Sequence, residues 1–507
     1  MRSTFLRLLA ILGAIHLVRL IVSLGVGIIP DEAYYWTWGL QLDWCYWDQP
    51  GGIAWLHGGW SALFGSGLVS LRVLATLCSL AGSLLVFGLV RRTIDEQTAF
   101  WAALLMQAVP LFGAGGALVM HDSLMLPLIA AAWWVLARTI LDDRPRGWIV
   151  VGALLALALY AKLSAIIFAF GLVTTATLDP VGRRHFRSPW PYFGAATVAI
   201  CVVPVIKWNE MHQWVTFFAV RKLAVDPDIV GWQRLLSLGD YLLAQLGIVS
   251  PILAVLGFLG ALWAVRQRGE PSRGLRLLAV PALFIAAYFA VNSLRAKVQG
   301  NWPAVMWLGF LPLAIAYVKA RGDRMRRVFV IGLTISLLGL IAVYLQALLG
   351  VVPLKPDMSD QSFGWGDVAR QVQERRQSFE GVQLATKTYQ TAAELRYHLP
   401  DHPPIYTADY AHRGSQFTLW QDFRNLAGRD VLFVEEGGMP RKFARHFEEV
   451  TELPPIFRLR GSKKVETLRV YHARNFRLEG QEAFYMRDPV GHHLERQRRR
   501  MERSAAP

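Results

Sequence analysis

Charged side chains are scarce in this chain of 507 residues. Asp, Glu, Lys and Arg together make up 18% of it, against roughly 25% of an average soluble domain. Hydrophobic residues make up 54%, and the mean hydropathy is +0.32. This composition excludes a soluble enzyme and a disordered protein. The apolar residues form runs of roughly 17 to 25, the length that spans a bilayer, so most of the chain is predicted to lie in a membrane.

Cysteine is rare as well. Cys45, Cys78 and Cys201 show no CxxC spacing, so neither a disulfide framework nor a cysteine-based metal site is indicated. No glycine-rich nucleotide-binding loop is present in the sequence. The first apolar run follows Arg2 and Arg7 but has no small-residue cleavage site. We therefore expect a retained first helix and not a signal peptide.

The apolar runs predict a polytopic α-helical membrane protein with about eleven transmembrane helices. These are placed at 5–28, 67–89, 98–118, 123–140, 148–160, 164–178, 192–208, 239–265, 277–292, 303–318 and 328–350. An odd number of spans puts the two ends of the chain on opposite sides of the membrane.

The positive charge is concentrated at one face of this predicted domain. The formal net charge is +16, and short loops carry clusters such as Arg183, Arg184 and Arg187, whereas residues 30–66 contain neither Lys nor Arg. By the positive-inside rule, the Arg-rich loops are cytoplasmic and the long loops lie outside. Topology thus explains the charge, and nucleic-acid binding is not expected.

The composition changes after residue 350 from apolar to mixed and charged. Residues 1–350 are predicted to be the membrane domain, and residues 351–507 a soluble α/β domain on the outer side. Its strands are expected at 382–386, 405–407, 431–434 and 467–471, and its helices at 366–376 and 391–397, the alternation of a small sheet covered by helices.

The first outer loop combines acids with aromatic side chains. It reads Pro30-Asp31-Glu32-Ala33-Tyr34-Tyr35-Trp36, and later Tyr46-Trp47-Asp48-Gln49-Pro50. One interpretation is an interfacial aromatic belt with Asp31 as a helix cap. An aromatic belt does not explain why Asp31, Glu32 and Asp48 are present, however, and this loop contains no cation to neutralise them. The acids therefore indicate a functional site.

Further ionisable residues are expected at the same face. Asp122, in Met120-His121-Asp122-Ser123, lies between two apolar spans. A charge there is costly unless it is paired or has a function, and the alternative to a functional role is that Asp122 caps the following helix. Lys162 occupies a tight turn between two apolar runs, and Arg295 and Lys297 precede Gly300-Asn301-Trp302-Pro303. Snorkelling would explain each cation alone. Together, opposite the acids, they suggest a place for an anionic phosphate.

Carboxylates beside cations at a membrane surface suit transfer of a sugar from a lipid phosphate. Cations or a metal hold the phosphate leaving group, and a carboxylate serves as base or orients the acceptor. Four segments in this order, 31–36, 46–50, 121–124 and 161–164, resemble the bacterial glycosyltransferases related to protein O-mannosyltransferases and to the aminoarabinose transferase of lipid A. The similarity covers about residues 5–310, and 297–303 resembles a further motif of bacterial members.

The resemblance implies the GT-C fold, an inner-membrane location, a periplasmic active site, a polyprenyl-phosphate sugar donor and inversion at the anomeric carbon. The acceptor is expected to be lipid A, lipopolysaccharide core or another envelope glycan. Asp31 matches the acid that acts as base or orients the acceptor, Asp122 the second essential acid, and Lys162 a phosphate-binding lysine. The expected substrate-binding residues are Glu32, Tyr35, Asp48, His121, Lys162, Arg295, Lys297, Asn301 and Trp302.

Asp48-Gln49-Pro50 stands where aminoarabinose transferases have Glu-Lys-Pro-Pro. This departure removes a phosphate-contacting lysine and leaves the sugar specificity open. It also leaves open the divalent metal ion of the family, for which Asp48 and His121 are the candidate ligands. A transporter or flippase of lipid-linked sugars is the alternative function, although transporters tend to place charges at mid-bilayer on broken helices.

Three segments of the soluble domain have open interpretations. Lys387-Thr388-Tyr389 and His412-Arg413-Gly414-Ser415-Gln416 either contact an acceptor or belong to an ordinary surface. The basic cluster at 496–500 is either a solvated, disordered end or a contact with anionic lipid headgroups or lipid A phosphates.

Overall fold

The computed structural model describes residues 2–226, 229–354, 357–409, 414–478 and 488–505. The membrane part is helical throughout. Its helices are α1 (Arg2–Ser23), α2 (Pro30–Trp38), α3 (Gly52–Phe64), α4 (Leu68–Thr93), α5 (Glu96–Ala108), α6 (Pro110–Gly113), α7 (His121–Leu141), α8 (Gly147–Ala161), α9 (Ala165–Leu178), α10 (Pro180–His185), α11 (Trp190–Met211), α12 (Val215–Ala224), α13 (Gln233–Val249), α14 (Pro251–Arg266), α15 (Arg273–Ser293), α16 (Met306–Arg321) and α17 (Asp323–Leu349). Short 3-10 helices lie at Gly115–Ala117 and Glu270–Ser272.

Several of these helices are long and apolar enough to cross a membrane. Within the described residues there are six of them, α1, α4, α7, α11, α15 (with the 3-10 turn before it) and α17, or up to eight when two bent pairs are each counted as one span. Two shorter apolar helices, α8 and α9, flank the turn at Lys162. The chain is therefore a multi-pass membrane protein, and the number eleven stays a prediction.

Two predicted spans are interrupted by proline. The predicted span 239–265 bends by 106° between α13 and α14, and the predicted span 98–118 bends by 75° between α5 and the segment from Pro110 to Ala117. Pro251 and Pro110 begin the second helix in each case, because proline lacks an N–H and its ring clashes with the preceding turn. The expectation of one continuous helix is wrong in both places.

The first outer loop contains two helices, α2 and α3. Helix α2 begins at Pro30, after an extended Ile29, which suits proline because its missing N–H needs no partner in the first turn. Seven of its nine residues are buried. The loop is thus a packed element that holds its acids in fixed positions.

The soluble part is a five-stranded sheet with helices. Its strands are β1 (Gln383–Thr386), β2 (Ile405–Thr407), β3 (Val431–Glu435), β4 (Phe447–Arg460) and β5 (Lys463–Phe476), in the order β2-β1-β3-β5-β4. β1 runs parallel to β2 and β3, and β5 runs antiparallel to β3 and β4. The helices are α18 (Trp365–Gln377), α19 (Tyr389–His398), α20 (Gln416–Trp420), α21 (Arg441–Ala444) and α22 (Pro489–Ala505), with 3-10 turns at Met358–Ser362 and Phe423–Leu426.

Strand β4 is not among the predicted strands. It contains Pro454 and Pro455, which argue against a strand in sequence, and the ladder with β5 is irregular between Leu453 and Ile456. An edge strand tolerates proline where the missing N–H faces away from its neighbour. Its position at the edge of the sheet therefore explains why the sequence pattern was misleading.

The soluble part packs directly on the membrane part. One hydrophobic cluster joins Trp36 and Leu71 of the membrane part to Val368, Leu432 and Val470 of the soluble part. The basic end of the chain is helical: α22 packs Val490 and Leu494 against the cluster that contains Trp47. The expectation of a disordered end therefore fails over Pro489–Ala505.

Candidate active site

Asp31 lies in the first turn of α2, half-buried. It is not the N-cap, which is Ile29, so the capping explanation does not apply. Its Oδ1 accepts a hydrogen bond from the hydroxyl of Tyr389, 3.0 Å away in the soluble domain. The first candidate acid thus stands where the two parts of the chain meet.

Asp122 is the second residue of α7, and both of its carboxylate oxygens accept hydrogen bonds from other side chains. Lys162 Nζ lies 2.8 Å from Oδ1, and Asn301 Nδ2 donates to Oδ2 over 2.9 Å. Met120 is the N-cap, so capping does not explain this aspartate either. The side chains of Lys162 and Asp122 keep 12% and 19% exposure. They form a mostly enclosed ion pair that an incoming anion can still reach at its edge.

Contacts between rings and backbone connect the two acids. The Tyr35 ring on α2 packs edge-on against the His121 ring at 4.2 Å. His121 Nδ1 lies 2.9 Å from the carbonyl oxygen of Ala161, the residue before Lys162. The backbone N–H of Leu163 donates to Gln49 Oε1 over 2.9 Å. Tyr35, His121, Asp122 and Lys162 thereby lie close together, and Asp31 lies one turn before Tyr35 on α2.

Asp48 belongs to a polar network beside this site. Its Oδ2 accepts a hydrogen bond of 2.9 Å from the Tyr34 hydroxyl, whose oxygen accepts the backbone N–H of Gln416 at 2.7 Å. Gln416 Oε1 in turn accepts the backbone N–H of Trp47. The network ties the loop around Asp48 to both α2 and the soluble domain.

The position of Glu32 contradicts its predicted substrate-binding role. Its side chain is fully buried and pairs with Arg72 of α4 at 2.7 Å, and Val119 N–H donates to the same carboxylate. Arg72 also donates to the carbonyl oxygens of Gly27 and Ala117. The Glu32–Arg72 pair therefore joins the segment before Asp31 to the segment before Asp122, and no surface of Glu32 faces a ligand.

The loop before α16 contains four predicted substrate-binding residues, Arg295, Lys297, Asn301 and Trp302. Among them, Asn301 is the one that bonds to Asp122 in the described part of the chain. The side chains of Arg295 and Lys297 are exposed, and no bond to Asp122 or Lys162 involves them in the described part of the chain. Trp302 is half-buried against the membrane core. Both cations lie in the loop that leads to Asn301, which we call the rim of the site, and they are not built into the site itself.

The residues proposed as metal ligands do not form a cation site. Within the described ranges, no group of three or more His, Cys, Asp and Glu side chains is arranged to hold a metal ion. His121 Nε2 is buried and has no hydrogen-bond partner there, which suits one ligand, while Asp48 is engaged by Tyr34. These residues do not fit a metal centre by themselves.

A cysteine nucleophile is also disfavoured at this site. Cys45 is buried beside Thr216, and its burial raises the pKa of the thiol to about 11. The thiol therefore keeps its proton at neutral pH, and a thiolate is the form that attacks. The chemistry available at the site is that of carboxylates, Lys162 and tyrosine hydroxyls.

Sequence reasoning missed several residues of the site. Tyr34 and Gln49 lie inside the motifs, but their hydrogen-bonding roles leave no local signal. Arg72 looks like an ordinary cation in an apolar run. Gln416 belongs to the predicted segment 412–416, of which residues 412 and 413 lie outside the described residues, but no sequence pattern predicts its bonds to Tyr34 and Trp47. Tyr389 lies in a segment that is predicted either to contact an acceptor or to belong to an ordinary surface. No spacing in the sequence predicts its hydrogen bond to Asp31.

The fold class follows from comparison with solved structures. Crystal structures of ArnT from Cupriavidus metallidurans superpose on this chain with TM-scores of 0.65 for the form bound to undecaprenyl phosphate and 0.63 for the apo form. Each covers 91% of this chain and 97% of that chain, at 15% and 14% identity. The chain has the GT-C fold, as predicted.

Sequence comparisons agree with that fold. The family model described as dolichyl-phosphate-mannose-protein mannosyltransferase matches residues 48–208, a range that contains Asp48, Asp122 and Lys162. The lipid A galacturonosyltransferase RgtD of Rhizobium johnstonii is 25% identical over 462 residues, covering 87% of this chain and 92% of that protein. The predicted resemblance to the GT-C glycosyltransferases is thereby confirmed.

Proposed function

We propose that this chain is a bacterial inner-membrane glycosyltransferase that moves a sugar from a polyprenyl-phosphate donor to lipid A, with the active site on the periplasmic side. The observation that carries the proposal is the Lys162–Asp122–Asn301 group joined through His121 and Tyr35 to the half-buried Asp31. One cation and one separate carboxylate at a membrane surface are what this transfer requires.

Lys162 is assigned to the donor phosphate. Asp122 holds its ammonium group 2.8 Å away, and Asn301 holds Asp122, so the lysine is oriented before a ligand arrives. Such preorganisation matters because a fixed charge stabilises the negative charge that develops on the leaving phosphate without reorganising. Arg295 and Lys297 at the rim add attraction for the anionic donor.

Asp31 is assigned to the acceptor. An acceptor hydroxyl attacks the anomeric carbon from the face opposite the phosphate, and its proton passes to the Asp31 carboxylate. The new bond joins the acceptor oxygen to the anomeric carbon, while the bond from that carbon to the phosphate oxygen breaks. The electron pair leaves with the phosphate, beside Lys162. One displacement of this kind inverts the configuration of the sugar.

The substrate classes are proposed from the relatives. RgtD is described as acting on lipid A and transferring galacturonic acid, and one ArnT structure contains undecaprenyl phosphate. A polyprenyl-phosphate donor and a lipid A acceptor are therefore the first substrates to test. Lipopolysaccharide core or another envelope glycan is the next acceptor, and a requirement for a divalent metal ion stays a prediction to be tested with chelator.

The test uses the purified full-length protein in lipid nanodiscs. Synthetic polyprenyl phosphates that carry galacturonic acid, aminoarabinose or mannose are each incubated with lipid A, and the products are analysed by mass spectrometry. We expect one donor to give glycosylated lipid A with an inverted anomeric centre. The Asp31→Asn variant, which keeps the volume and removes the charge, should lower product formation to a small residual rate. Absence of product from every donor and acceptor would contradict the proposal.

A further inference from the structure

Tyr389 is the residue through which the soluble domain reaches Asp31. Its hydroxyl donates to Asp31 Oδ1 over 3.0 Å, and its ring lies 4.6 Å from the Tyr34 ring on the same helix α2. Among the described residues, Tyr389 is the one whose side chain forms a hydrogen bond with the Asp31 carboxylate. The second oxygen of that carboxylate forms no hydrogen bond within the described part of the chain.

The position of Tyr389 is held from inside the soluble domain. It is the first residue of α19, and Thr388 is the N-cap. Glu435, buried at the end of β3, accepts the backbone N–H groups of Lys387 and Thr388, both at 2.9 Å, and the hydroxyl of Thr391, also at 2.9 Å. A carboxylate at a helix N-terminus is itself favourable. The start of α19, and with it Tyr389, is therefore fixed by the central strand of the sheet.

A second tyrosine on α19 shows what an ordinary interface contact looks like. The hydroxyl of Tyr397 donates to the backbone carbonyl of Ser66 over 2.8 Å, and its ring packs edge-on against Trp36. That bond simply satisfies a mostly buried hydroxyl. Tyr389 instead donates to a partly exposed carboxylate, that of Asp31, which does not cap its helix.

We infer that Tyr389 is a positioning residue of the active site, which orients the Asp31 carboxylate for the acceptor, so that the soluble domain completes the site formed by the membrane domain. The inference rests on the proposed function. A hydrogen bond to one oxygen restricts rotation of the carboxylate and directs the other oxygen to the acceptor proton. Removing the hydroxyl should lower turnover and leave substrate binding largely intact.

The test compares Tyr389→Phe with the matched control Tyr397→Phe. Both variants lose one hydroxyl of the same helix at the same domain interface. With lipid A and the donor identified for the wild type, we expect Tyr389→Phe to lower kcat about tenfold to a hundredfold, the scale of one hydrogen bond to a charged group, with little change in either KM. Tyr397→Phe should keep kcat, and thermal unfolding should place both variants at similar Tm values.

A double variant separates positioning from a general structural effect. If Tyr389 acts through Asp31, adding Tyr389→Phe to Asp31→Asn should not lower the residual rate further, because coupled residues are not additive. Wild-type turnover in Tyr389→Phe, additive losses, or a loss that follows a much lower Tm than that of Tyr397→Phe would each overturn the inference. An inactive wild type would instead count against the proposed function itself.

Discussion

At the residue scale, the two candidate acids differ in what their oxygens already bind. Asp122 accepts hydrogen bonds from Lys162 and Asn301, whereas Asp31 accepts one hydrogen bond from Tyr389. Asp122 is thus suited to hold a cation in place, and Asp31 to take a proton from an acceptor. Both acids are predicted site residues, and their surroundings distinguish the roles proposed for them.

The role of Lys162 can be separated from snorkelling by kinetics. Lys162→Met keeps the aliphatic stem and removes the ammonium group, so it should lower kcat by roughly tenfold to a thousandfold even at saturating donor, the scale of one electrostatic stabiliser. Lys297→Met is the control, because Lys297 is exposed at the rim and should have a smaller effect. If turnover and donor affinity are unchanged in Lys162→Met, the phosphate is held elsewhere.

At the scale of elements, the Glu32–Arg72 pair joins α2, α4 and the segment before α7. Both side chains are fully buried, so loss of one partner leaves the other charge without compensation. Glu32→Gln should therefore destabilise the protein by about 3 to 5 kcal/mol, measured as lower thermal stability and yield. Arg370→Gln removes a pair that is 62% and 60% exposed and should cost at most about 1 kcal/mol. Equal stability of the two variants would contradict this role.

Helix α19 contains a buried acid at the interface with the membrane part. Glu394 is fully enclosed, and its burial raises the pKa well above the usual 4.5, with the charge of Arg458 opposing the shift and that of Glu32 adding to it. His398 Nε2 lies 3.4 Å away, but burial lowers the pKa of His398 to about 4. Burial thus favours the neutral form of both groups, and the short distance between them is not an ion pair.

This acid predicts a pH dependence of stability. Folded Glu394 keeps a proton that the unfolded chain releases above its usual pKa, so the free energy of unfolding falls as the pH rises above about 4.5 and until the raised pKa is passed. Glu394→Gln, a neutral side chain of the same shape, should remove this loss. The Tm difference between variant and wild type should grow in favour of the variant as the pH rises above about 4.5. The contribution of His398 is present in both proteins and cancels; a pH-independent difference would refute the prediction.

At the scale of the whole molecule, the soluble domain and the membrane domain share one hydrophobic cluster and the hydrogen bonds at Asp31 and Tyr34. The site therefore depends on both parts. Any topology must place the soluble domain on the same side of the membrane as Asp31 and Lys162.

The predicted topology has eleven spans and a periplasmic soluble domain. A reporter that is active only in the cytoplasm, fused after Pro507, should be silent, and the same reporter in the Arg-rich loop near Arg184 should be active. This follows from the concentration of Arg in the short loops of one face. Strong activity of the C-terminal fusion would contradict the orientation and the periplasmic site together.

The sequence by itself determined the membrane class, the positions of most long apolar helices and the residues of the four motifs. These depend on local properties: the length of apolar runs, the side of the basic loops, and short patterns such as His121-Asp122. The turn at Lys162, with helices ending at Ala161 and starting at Ala165, was readable because a cation interrupts an apolar stretch.

Only the tertiary structure decided which partner each charged residue has. The sequence predicts Glu32 as a substrate-binding residue because the cation that neutralises it, Arg72, lies 40 positions away in a different helix. Tyr389 reaches Asp31 from 358 positions away, and β4 is a strand because β5 offers it a ladder at the sheet edge. Burial and pairing of this kind depend on which elements pack together, and no local pattern of the chain records that packing.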